Sequence, residues 1–104
     1  MSNLNIIIEV LQELRIAAKV IKSEEDLKAT MRKYDMLFLG GEFNTIYARE
    51  LRHCLEKVFD KEIPINELLG LVPDVCGALG MKTEAMVFVD DPDRKIADYQ
   101  ITLF

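Results

Sequence analysis

With 104 residues, half of them hydrophobic and 30% charged, the chain has the size and balance of one globular domain over 1–104, which excludes disorder and leaves no room for a second core. Its formal charge of −5 disfavours nucleic acid, because that binding relies on Lys and Arg to displace counterions from phosphates; it suits solubility or a basic protein partner. Apolar runs such as Ile6-Ile7-Ile8 and Met36 to Leu39 are too short to cross a bilayer, and Glu9, Glu13, Arg15 and Lys19 interrupt any leader-like core, so a cytoplasmic protein without membrane contact is expected.

Residues 4–21 place Leu4, Ile7, Ile8, Leu11, Leu14, Ala18 and Ile21 at spacings of three and four, with Asn5, Glu9, Gln12 and Lys19 opposite. This is an amphipathic helix. Ile6, Val10, Ala17 and Val20 widen its apolar sector, so it is expected to be deeply buried or to pack on a second chain. Ser23 then begins a second helix: its hydroxyl can accept the amide of Asp26, while Glu24, Glu25 and Asp26 fill the first turn, where the helix dipole favours anions. Leu27, Met31 and Tyr34 carry its apolar face.

The passage Asp35 to Gly41 has two readings. As helix, Phe38 keeps the period and Gly40 supplies a left-handed stop. As strand, a short apolar run precedes a glycine pair, and glycines between a strand and a helix can cradle a phosphate. Neither a P-loop lysine nor a GxGxxG follows. The letters Gly40-Gly41-Glu42-Phe43 are similar to part of the diguanylate cyclase signature, but they lack one acidic residue of it, and the chain is too small for that catalytic domain.

Asn44 or Thr45 is expected to cap a third helix to about Asp60, with Tyr47, Leu51, Cys54, Leu55 and Val58 inward and Arg49, Arg52, His53, Glu56 and Lys57 outward. Ile63-Pro64-Ile65 reads as a short extended link, Asn66 as the cap of a short helix to Leu71, and Pro73 as the first turn of another ending at Gly80. Cys54 and Cys76 lie in apolar surroundings, as packed thiols do, and His53 is the sole histidine, so neither a metal nor a cofactor is expected.

The last third reads as a hairpin. Ala85 to Val89 is apolar on both alternating faces, as in a strand covered on two sides, whereas Ile96 to Phe104 alternates and reads as a half-buried edge strand. Asp90 to Lys95 holds Pro92 and three aspartates whose side chains can bond nearby amides, a turn of about four to six residues.

The expected fold is therefore α+β: a helix-rich single domain of about four to five helices with a C-terminal β-hairpin. From Asn44 onward the order helix, extended link, helix, turn, helix, hairpin resembles a winged helix, at the level of element order. The resemblance implies a DNA-binding class with 73–81 as recognition helix and 90–95 as wing tip. The residues depart from it: 73–80 hold no Arg, Lys, Asn or Gln to read base edges, and three aspartates at the tip would repel phosphate.

No nucleophile and base, carboxylate pair or metal set is spelled out by spacing, so catalysis is not expected. The expectation is a small acidic protein-binding module, a regulator, inhibitor or assembly subunit, gripping its partner by Asp98, Gln100, Thr102 and Phe104 on the edge strand with Asp91 and Asp93 on the turn. A homodimer through the first helix or the edge strand fits the same features. Two alternatives come from other classes: a winged-helix-like transcriptional regulator using Arg49, Arg52 and Lys57, and a small-molecule or nucleotide module at Gly40 and Gly41.

Overall fold

The computed structural model describes residues 3–104, so the first two positions of the expected domain lie outside the described residues. Four helices and one antiparallel sheet follow in the order α1 (Asn3–Lys19), α2 (Glu24–Tyr34), β1 (Thr45–Tyr47), α3 (Ala48–Lys57), α4 (Ile65–Leu79), β2 (Lys82–Val87) and β3 (Ile96–Thr102). The fold is α+β with a C-terminal hairpin, as the periodicities imply. No helix among the described residues is long and apolar enough to cross a membrane.

The first two helices form where expected. Helix α1 buries Ile7, Val10, Leu11, Leu14 and Ala18, so most of its wide sector is spent on the protein's own core, with Ile16 left exposed. Helix α2 starts at Ser23, whose hydroxyl accepts the Asp26 amide at 3.1 Å while the Asp26 carboxylate accepts the amide of Lys22 at 3.0 Å. It stops earlier than the helical reading of 35–39 requires. Asp35 takes the left-handed conformation at φ 50° and closes the C-terminus by donating its amide to the Met31 carbonyl. Met36, Leu37 and Phe38 then alternate buried, exposed, buried, and Leu39 exchanges both backbone bonds with Thr45.

Three expectations for the middle of the chain are corrected. Thr45 to Tyr47 is not the start of a helix but strand β1, and α3 begins only at Ala48 without a side-chain cap from its own segment. The two short helices expected on either side of Leu71–Pro73 are the single helix α4, with Pro73 inside it and exposed. An internal proline costs about 3 kcal/mol, but the buried side chains on either side of it, Leu68, Leu69, Val72, Val75 and Cys76, contribute about 1.5–3 kcal/mol each for the larger ones, so burial outweighs the local break. Ile63 adds no strand; it is a buried connector residue whose carbonyl accepts Arg52 Nε at 3.1 Å.

The sheet reverses the expected roles of the hairpin strands. Its order is β1-β3-β2, so β3 is the central strand and not an edge. Tyr99, Ile101 and Leu103 alternate inward as predicted, and that face meets α3 and α4. Strand β2 is the outer one, and every residue from Lys82 to Val87 is exposed, against the expectation of a strand covered on both sides. The reason is positional: β2 stands at the sheet's edge, outside β3, and the helices pack chiefly against β3. The second half does not keep the element order of the winged-helix resemblance: the short helix, turn and recognition helix expected over 66–81 are the one helix α4, and a strand precedes α3, so only a helix pair followed by a hairpin remains.

Candidate functional site

The part of the molecule least explained by folding is the outer side of the hairpin. Strand β1 has its outer flank met by Leu39, while among the described residues β2 has β3 on one side and no strand on the other. A free edge carries unpaired backbone donors and acceptors, which proteins usually blunt. Here Lys82 and Glu84 lie at one end, but Met86, Val87, Phe88 and Val89 form an apolar run at the other. Met86 is 40% exposed, Phe88 58% and Val89 97%, and Ile96 on the returning strand adds to the same apolar end.

The connection over 88–95 is ordered by its own polar groups. The Asp91 carboxylate accepts the amides of Asp93 at 2.9 Å and Lys95 at 3.0 Å, as expected of an aspartate in a turn. Backbone bonds from Asp91 to Phe88 and from Arg94 to Asp91 add two successive turns, with Arg94 at φ 50°. The acidic tip thus presents the apolar run instead of folding it back.

The residues expected to bind a partner do not form one exposed edge. Asp98 is half-buried and engaged by the fold: its Oδ1 accepts the Arg49 amide at 3.0 Å and the Tyr99 amide at 2.8 Å, capping α3 from the neighbouring strand. Gln100 and Thr102 lie mid-sheet, opposite Tyr47 and Thr45 on β1 and Glu84 and Lys82 on β2. The Phe104 carbonyl accepts Asn44 Nδ2 at 2.6 Å, and its ring lies under Lys19 Nζ at 5.6 Å. Of the turn aspartates, Asp91 is engaged in the loop and Asp93 is exposed. Sequence reading missed Met86 to Val89 as a surface because an apolar run looks the same whether a layer covers it or not.

The basic set is dispersed as well. Arg49 Nε donates to the Ala97 carbonyl at 2.6 Å and Arg52 Nε to Ile63, so both guanidinium groups hold backbone together, leaving Lys57 exposed. Helix α4 exposes Glu67 and Asp74 and contains no Lys or Arg. At Gly40 and Gly41 the chain turns back toward β1, with Gly40 at φ +89° and its carbonyl accepting the Phe43 amide. No helix N-terminus follows the glycines, so the geometry of a phosphate cradle is not formed there.

Two further polar places bear on chemistry. His53 Nε2 meets Asp35 Oδ2 at 2.7 Å in an open groove that also holds Arg32, Leu37 and Glu50, and Glu50 Oε1 accepts the Leu37 amide. The pair ties α3 to the C-terminus of α2, and the sulfur nearest in sequence is inert. Burial pushes the Cys54 thiol up to about 12, with the charges of Glu13, Asp35 and Glu50 adding to it, and burial raises Cys76 to about 11. A thiol so far above neutrality is no nucleophile at pH 7. A cleft of about 460 Å³ along α1 sets Glu9, Glu13 and Lys61 around Ile6, Val10 and Phe59, with no histidine, hydroxyl or thiol in its lining. Among the described residues no three His, Cys, Asp or Glu side chains are grouped to hold a metal.

Comparison with known proteins adds no relative: no family model, curated protein or solved structure matches the chain.

Proposed function

We propose that this chain is a small acidic protein-binding module of the cytoplasm, a regulator, inhibitor or assembly subunit without catalytic activity of its own, and that it grips its partner by the projecting β2–β3 hairpin. The observation that carries the reading is Val89, 97% exposed beside Phe88 at 58%, just past the end of β2, whose outer edge has no partner strand among the described residues. Large apolar side chains clustered at a free edge lower the free energy only when something covers them, and an edge strand offers backbone pairing along with side-chain burial. The groups that would support DNA reading are engaged internally at Arg49 and Arg52, so that alternative has no comparable surface behind it.

The test compares tagged wild type with a Phe88→Asp/Val89→Asp double variant in native-host lysate. Both substituted positions are exposed, so the variant should keep its helical circular dichroism. Retention of the partner should fall at least tenfold. Equal retention by the two proteins would defeat the reading.

A further inference from the structure

We propose that the occupant of the free β2 edge is β2 of a second copy, paired antiparallel across a two-fold axis at Met86, so that two three-stranded sheets become one of six. The inference rests on the hairpin reading above and names its partner. Three observations lead to it.

The edge is regular. Partners along the hairpin run Lys82 with Thr102, Glu84 with Gln100 and Met86 with Asp98, and then Val87 with Ile96, so the extra residue of the irregularity is Ala97 on β3. The bulge therefore belongs to the central strand, and β2 passes it without an insertion of its own. A bulge on the edge strand would have blunted it.

The edge is also self-complementary in charge. Lys82 stands at its start and the acidic turn at Asp90 just past its end, so antiparallel self-pairing brings each lysine alongside the other copy's aspartates. A partner strand of arbitrary sequence has no reason to match this polarity, whereas a second copy matches it twice by symmetry.

The register follows from face and charge together. A two-fold axis normal to the sheet keeps each side chain on its own face, so the axis must pass through a residue that pairs with itself. An axis at Glu84 sets two carboxylates directly opposite, which is destabilising. An axis at Ala85 puts Lys82 opposite Phe88 and Glu84 opposite Met86, with no opposite-charge pair. An axis at Met86 joins the two thioether side chains, sets Ala85 against Val87 and Glu84 against Phe88, and brings Lys82 to the acidic turn. It is the one arrangement of the three that covers exposed Met86, Val87 and Phe88 while pairing charge.

The test uses the full chain with Met86→Cys and Glu84→Cys variants under mild oxidation, alongside sedimentation equilibrium of the wild type. Opposed residues in an antiparallel pair have Cα atoms about 4.5–5.5 Å apart, within reach of a disulfide. Two copies of residue 84 are offset by four positions in this register, roughly 13 Å, and cannot be bridged. Cys54 and Cys76 are buried and free, so background crosslinking is low. The expected result is a mass of twice 11.9 kDa, efficient crosslinking at position 86 and none at 84. Lys82→Glu should raise the dimer Kd about tenfold, and adding Asp90→Lys should restore it. A monomeric mass throughout, or crosslinking at 84 equal to that at 86, overturns the self-pairing. A monomer whose Phe88→Asp/Val89→Asp variant still loses its partner in the lysate overturns self-pairing alone and leaves the hairpin reading standing.

Discussion

Replacing Asp98 by Ala tests the account of the central strand most directly. Helix α3 has Tyr47 at its N-cap position, and no side chain of that residue closes the helix. The acceptor comes from β3 instead, with Asp98 Oδ1 at 3.0 Å from the Arg49 amide and 2.8 Å from the Tyr99 amide. Loss of an N-cap acceptor costs about 0.5–2 kcal/mol, and loss of an anion at a helix N-terminus about 0.3–1 kcal/mol more at a partly exposed site. The two overlap, because one carboxylate supplies both, so Asp98→Ala should destabilise by about 1–2 kcal/mol. For a domain of this size that lowers Tm by roughly 4–12 °C. Asp98→Asn keeps an oxygen acceptor and loses the charge, so it should fall between the two. Urea denaturation followed by far-UV circular dichroism at pH 7 measures the difference, with the m-value checking that the transition is unchanged in kind. An Asp98→Ala variant within 0.3 kcal/mol of wild type, a threshold near the error of such differences, would refute the capping role and the strand placement behind it.

Pro73→Ala should stabilise the protein by about 1–2 kcal/mol in the same denaturation, since it restores an amide to the interior of α4 while giving back some unfolded-chain entropy. No gain would mean that the helix does not run continuously through position 73. Stability should also fall as pH rises above about 9: the folded pKa values of Cys54 and Tyr34 near 12 and of Cys76 near 11 lie above their unfolded values, so the unfolded chain releases these protons first. The contribution is complete below pH 9 and is lost as pH climbs through the folded values; thermal melts from pH 7 to 11 read it, and a flat profile would contradict the burial of these groups.

Much of the secondary structure was legible in the residues. The period of Ile7, Leu11, Leu14 and Ala18 gave α1, and Ser23 with its acidic first turn gave the start of α2 to the residue. Alternation through Tyr99, Ile101 and Leu103 marked the inward face of β3. The turn chemistry of Asp91 was equally local. Strand β1 was missed although Thr45-Ile46-Tyr47 carries β-branched and aromatic residues after a glycine turn, because a polar Asn-Thr pair is also a good helix start.

The candidate site was far less legible, and the failures share a cause. Asp98 looked like an outward residue of an edge strand because alternation gives its face and says nothing of what stands beside the strand. Ala85 to Val89 looked buried because apolar residues are usually covered, and only the placement of the helices shows that here they are not.

By itself, then, the order of residues determined the helix faces, the capping at Ser23, the hairpin and the inward side of its second strand, all of which depend on groups within a few positions of one another. Tertiary structure decided which strand became central, which charged groups were spent inside the fold, and which apolar run was left at the free edge. Those outcomes depend on pairings between residues some fifty positions apart, such as Arg49 with Asp98, and no local period records them.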